Sequence, residues 1–204
     1  MLVWDEFLFI FQQMGATIVN SLSRSSLKTI DKGLNLFFYD ANLEGVDTLI
    51  SYLSEDFKIH PIERTGNFFT KLSNYSNSRI DNLYILCHGQ AGELKLGLEK
   101  INTESLLNHS KINSSIEIEK ITLLSCNVGQ NTDFIKTFAE VFNCAVNFSD
   151  KLVGHQSLGG SWDLKTYISD ESAYNNIVSF NSNFLTFPSE VLANWEYTLN
   201  LTIS

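Results

Sequence analysis

Apolar residues follow two rhythms along this chain. Runs that are apolar at nearly every position alternate with stretches whose apolar residues recur every three or four. The first rhythm marks a strand buried on both faces, the second an amphipathic helix. Leu34 to Tyr39 (LNLFFY) reads as the first strand. Asn42 then caps a helix presenting Leu43, Val46, Leu49, Ile50 and Leu53. Phe57 to Ile62 is a second strand, placed at an edge because Pro61 lacks a ladder donor. Phe68, Phe69, Leu72 and Tyr75 fit a second helix, and Leu83 to Cys87 a third strand. Leu94, Leu96 and Leu98 alternate as in a small hairpin, and Leu106 and Leu107 fall on a third helix. Ile116 to Ser125 is the fourth strand. The clearest helix carries Phe134, Ile135, Phe138, Val141 and Phe142 on one face, behind a cap at Asn131 or Thr132. Ala145 to Phe148 makes a fifth strand, and Trp162, Leu164, Thr166 and Ile168 a sixth. A closing helix with Val191, Leu192, Trp195 and Leu199 comes after Pro188 and Ser189.

This order implies an α/β fold with a mostly parallel central sheet of about six strands, covered by helices on both faces. Right-handed crossovers bring the C-terminal ends of the parallel strands to one edge, where functional groups collect. The division expected is an N-terminal arm or helix over residues 1–33 and a single domain over 34–204, with the serine-rich stretch from Ser21 to Ser26 as hinge. Leu2, Val3, Phe7, Leu8, Phe11 and Met14 share one helical face of the arm. That face either packs on the domain or docks a partner protein.

Composition narrows the classes. The net charge is −9, from 14 basic and 23 acidic residues, with no basic cluster. Phosphate-rich partners such as nucleic acid are therefore disfavoured. Three cysteines are an odd, small number and suit a reducing compartment. No Lys or Arg precedes Arg24, so the N-terminus lacks the positive region of a secretory signal. Its apolar run, MLVWDEFLFIF, is far shorter than the ~20 residues of a membrane span. A cytoplasmic location is the expectation, with export by a signal-less route left open.

Two strand ends carry the chemistry. The third strand ends in Cys87-His88-Gly89, and the fourth in Ser125-Cys126-Asn127-Val128-Gly129. On neighbouring strands, His88 and Cys126 face one another at the functional edge. A thiol beside an imidazole is a nucleophile beside a base. The Gly89 N–H and the Cys126 N–H then form an oxyanion hole, worth roughly 3–4 kcal/mol per donor. Cys87 points to the opposite face and belongs to the core, and Cys144 is buried at a strand start. His60, His109 and His155 read as surface or loop residues. No metal site is expected, because ligand-spaced Cys or His pairs are missing. The loop from Asp40 to Gly45 lacks a Gly-x-Gly-x-x-Gly, so no dinucleotide cofactor is expected, and Ser125 is not in a Gly-x-Ser-x-Gly elbow.

Three segments in this order, LYILCHGQAGELKLG (83–97), ITLLSCNVG (121–129) and LGGSWDL (158–164), resemble a bacterial domain-of-unknown-function family. That family is found at the N-terminus of very large surface proteins and is grouped with the caspase-like, clan CD cysteine peptidases. The resemblance covers roughly Leu34 to Leu199. It implies a caspase-like three-layer sandwich with sheet order 2-1-3-4-5-6. It implies endopeptidase cleavage through an acyl-enzyme, with His88 as general base and acid, Cys126 as nucleophile and Gly89 as an oxyanion donor. A peptide or protein is the implied substrate. The Gln-Ala-Cys-Arg-Gly of caspases is absent, so selectivity for Asp is not carried over. Ser149, Asp150, Trp162 and Asp163 fall where this fold places its specificity pocket. Asp150 and Asp163 there favour a basic residue at the cleaved position, unless Asp150 makes a turn and Trp162 fills the core. One competing reading is a catalytically silent module that keeps the peptidase fold and binds a partner through its aromatic arm, and another is a precursor-processing or self-cleaving enzyme.

Overall fold

The computed structural model describes residues 32–109, 115–168, 177–180 and 187–200. The arm expected over 1–33 lies outside them, save for its last two residues. Eleven strands are described: β1 (Leu34–Asp40), β2 (Phe57–Ile62), β3 (Arg79–Leu86), β4 (His88–Gln90), β5 (Glu93–Leu96), β6 (Glu99–Ile101), β7 (Glu117–Ile118), β8 (Lys120–Leu124), β9 (Ala145–Phe148), β10 (Leu164–Tyr167) and β11 (Ile177–Phe180). Between them run α1 (Val46–Ile50), α2 (Phe68–Ser73), α3 (Thr103–Asn108) and α4 (Thr132–Phe142), and α5 (Ser189–Asn194) follows β11.

The main sheet has the order β2-β1-β3-β8-β9-β10-β11, with β7 paired to β3. Along this order β2, β1, β3, β8 and β9 run parallel, β10 runs antiparallel to β9, and β11 pairs antiparallel to β10. In the expected six-strand count this is the order 2-1-3-4-5-6. The fold is α/β with a mostly parallel sheet. Its strands are apolar on both sides because each side meets its own core. Phe38, Ile85, Leu123 and Val146 face a core shared with Phe68 and Phe69 of α2 and Phe134 and Phe138 of α4. Phe37, Tyr84, Leu86 and Leu124 face a second core shared with Val46 and Leu49 of α1 and Val191 and Leu192 of α5. Each fully buried side chain of this kind contributes about 1.5–3 kcal/mol.

Helix α4 starts where Asn131 Oδ1 accepts the Phe134 N–H at 3.2 Å and ends at Asn143, whose φ of 50° is left-handed. Four local expectations change. Asn42 does not cap α1: its N–H and its Nδ2 both donate to Asp40 Oδ1 at 2.9 Å, and the helix begins only after Gly45, whose φ is 68°. The side-chain turn at Asp40 competes with the helix for these residues. The fourth strand is broken into β7 and β8, both paired to β3. The expected hairpin is a three-stranded sheet, β4-β5-β6, that begins at His88 itself. The closing helix stops at Asn194, so Trp195 and Leu199 lie beyond it. Among the described residues no helix is long and apolar enough to cross a membrane.

Candidate active site

The parallel strands β3 and β8 end side by side, with Leu86 opposite Leu124. One residue further on, the Cys87 N–H still donates to the Leu124 carbonyl at 3.2 Å, so the two chain ends stay in register beyond the ladder. Parity then sorts the side chains. Cys87 is fully buried in the core with α4, as expected. His88 has the parity of Tyr84 and Leu86, and Cys126 that of Leu124. This is the side of the second core, to which Cys126 belongs. Cys126 therefore lies on the second-core side of the β8 end, and alternation carried on from β3 assigns His88, the first residue of β4, to the same side. Next to them the sheet order reverses between β1 and β3, the position where α/β folds open a crevice.

Gly89 is wedged against the Cys126 turn. A Cβ there would stand 2.1 Å from Ser125 Oγ and 2.9 Å from the Cys126 carbonyl oxygen. Only glycine lets the two strand ends come this close. After Cys126 the backbone passes through Asn127 at a φ of 60° into a short turn, Val128–Gln130. The Asn127 and Gly129 amides donate to Lys151 and Ser149 carbonyls at 2.9 and 3.0 Å. These bonds hold the stretch after β9 against the site.

That stretch supplies the other wall. The Val153 N–H donates to Cys126 Sγ at 3.1 Å. Opposite it lies Gly89, and between the two runs the chain's own segment from Tyr197 to Asn200. The His155 N–H donates to the Tyr197 carbonyl at 2.9 Å, and the Leu199 N–H to the Val153 carbonyl at 2.9 Å. The Gly89 N–H donates to the Leu199 carbonyl at 3.3 Å. Thr198 bridges Gly154 antiparallel, and Asn200 bridges Gly89 parallel. Under this cover Cys126 is completely buried. Burial pushes its thiol up to about 11, and the hydrogen bond from the Val153 N–H acts the other way. The resting sulfur is thus a neutral thiol. His88 Nδ1 is buried and has no hydrogen-bond partner among the described residues.

The four residues expected in a specificity pocket separate. Ser149 is buried and its Oγ accepts the Lys151 N–H at 3.1 Å, closing a turn. Asp150 receives Lys165 Nζ at 2.6 Å, and this bond holds its carboxyl below the usual range. Trp162 packs on Trp195 with ring centroids 5.6 Å apart. Trp162 and Asp163 border a cavity of about 700 Å³, together with Gly154, His155, Ser161 and Leu192. Of the other histidines, His60 is not a loop residue. It lies in β2, stacked on Phe38 and within 2.6 Å of Tyr75 Oη, and burial lowers its pKa. His155 opens a short turn and its Nε2 lies 2.8 Å from the Ala193 carbonyl. Sequence pattern does not single out Val153, Gly154, His155 and Leu199 as site residues. The alternation of Tyr197 and Leu199 is the available signal, but the four-residue spacing of Trp195 and Leu199 reads equally as helix.

A family model described as Domain of unknown function (DUF4347) matches residues 36–199. The chain belongs to the DUF4347 family. The matched region of this DUF4347 chain opens within β1 and closes at Leu199, so it takes in both strand ends and the segment laid between them. No curated protein and no solved structure matches the chain.

Proposed function

We propose that this DUF4347 domain is a caspase-like cysteine endopeptidase acting through Cys126 and His88. The observation that supports the reading is that a cysteine and a histidine follow the adjacent ends of two parallel strands, with an extended segment bonded across that edge. On this reading a peptide adds as a strand along Val153–His155, which supplies backbone bonds whatever the sequence. Its carbonyl meets the Gly89 N–H and the Cys126 N–H. His88 takes the thiol proton as the sulfur attacks, then delivers it to the leaving amine. The high thiol pKa is compatible with this order of events, because the proton needs to leave only when a carbonyl is in place.

Cys126→Ala and His88→Ala are each expected to abolish cleavage in a positional peptide library, with the circular dichroism spectrum unchanged. Full activity in either variant would overturn the proposal. One observation favours a second reading, a peptidase-like module without turnover: Cys126 is wholly covered. The two separate on reaction with a peptidyl chloromethyl ketone, which labels Cys126 in an enzyme and leaves it unmodified in a silent module.

A further inference from the structure

We propose that the chain is its own substrate, and that Leu199–Asn200 is the peptide bond presented to the Cys126 thiol. This inference rests on the peptidase reading above and names its substrate.

Three features of the segment from Tyr197 to Asn200 match what an enzyme of this kind requires of a bound peptide. The first is how it is held. Its backbone bonds alternate with the wall, Tyr197 carbonyl to His155 N–H and Leu199 N–H to Val153 carbonyl, as in an added strand. The second is the position of the reacting group. The Leu199 carbonyl accepts the Gly89 N–H, and the Leu199 side chain is buried in the same cluster as Cys126. One donor is thus already on the oxygen where negative charge develops, with the sulfur beside the same residue. The third is the division between the two sides of the bond. The Leu199 side chain is fully buried in the apolar cluster that includes Cys126 and Val153, whereas Asn200 is exposed. The acyl side of the bond is gripped, and its amine side opens at once to solvent.

The same geometry sets specificity. An apolar pocket that encloses leucine selects an apolar residue at the cleaved position. A basic residue would need a free acid there, and Asp150 is engaged by Lys165 instead.

The reaction balances with water alone. The Cys126 sulfur bonds the Leu199 carbonyl carbon while its proton passes to His88. The bond to the Asn200 nitrogen breaks, and His88 returns the proton to that nitrogen as the amine leaves. Water then hydrolyses the thioester, leaving a carboxylate on Leu199 and restoring the thiol. Residues 200–204 and anything attached beyond them are released.

The test is the intact mass of the purified chain, measured over time at several protein concentrations. Loss of residues 200–204 at a rate independent of concentration is expected. The loss should be absent in Cys126→Ala and in Asn200→Pro. Proline leaves Leu199 extended, so the fold is kept, but turns the target bond into a tertiary amide. A second measurement uses the fluorogenic peptide Tyr-Thr-Leu-aminocoumarin, with the parent chain and with Leu199→Gly, which empties the pocket. An intact mass together with peptide hydrolysis overturns self-cleavage and leaves the peptidase reading standing. So does cleavage at another bond. An intact mass with no hydrolysis by either chain overturns both, as does self-cleavage that survives Cys126→Ala.

Discussion

Gly89 shows how much one missing methyl group decides. Its Cα faces Ser125 Oγ and the Cys126 carbonyl at distances no Cβ can share. Gly89→Ala should force the two strand ends apart and cost about 1–3 kcal/mol of stability, read as a lower urea midpoint. At Asp150 the outcome is a matter of charge. Its carboxyl is held down chiefly by the hydrogen bond from Lys165. A carboxyl depressed in the folded state adds stability above its unfolded value, near ~3.9, and that stability is lost as pH falls through the folded value. Lys165→Met should therefore lower the urea midpoint near neutrality and have little effect at about pH 2. Both side chains of the pair are about a third exposed, so the effect is expected to stay below ~1 kcal/mol. The sequence suggests a substrate-reading acid at Asp150, because nothing local shows that Lys165, fifteen positions later, will claim it.

At the scale of elements, the doubly apolar strands and the α4 stripe are plain from periodicity alone. Periodicity reports burial, and these elements are buried on the sides that their patterns name. It fails where backbone bonding rather than burial decides. Asn42 carries a good cap signal, yet Asp40 captures it. Trp195 and Leu199 are spaced as on a helix, but the chain there is an extended bridge to Gly89 and Gly154. His88 and Cys126 are legible because strand ends are legible; their cover is not, since it comes from the far end of the chain. Another feature hidden from pattern is the polar rung across β8, β9 and β10. Asn147 Nδ2 donates to Thr122 Oγ1 at 3.0 Å, and Thr166 Oγ1 donates to Asn147 Oδ1 at 2.6 Å. All three residues are buried. Asn147→Ala leaves two hydroxyls without a partner and should destabilise the domain by about 2–4 kcal/mol in chemical denaturation. Thr122→Val in the same background should recover part of the loss.

Taken whole, the molecule keeps all three of its thiols in the interior. Burial raises the pKa of Cys87, moves Cys126 to about 11 and Cys144 to about 12. An unfolded thiol ionises near ~8.5. A raised folded value means the thiols add stability that is complete below that pH and is lost as pH climbs toward the folded values. Thermal midpoints should accordingly decline from about pH 8.5 to 11, and less steeply in Cys144→Ala. The placement of the covering strand has a consequence in time. A ribosome delivers His88, Cys126 and Val153 before it delivers Thr198, Leu199 and Asn200. Until then the Gly89 amide and the Val153 carbonyl lack the partners that Leu199 gives them in the folded chain. Translation itself therefore sets the moment at which this edge is sealed.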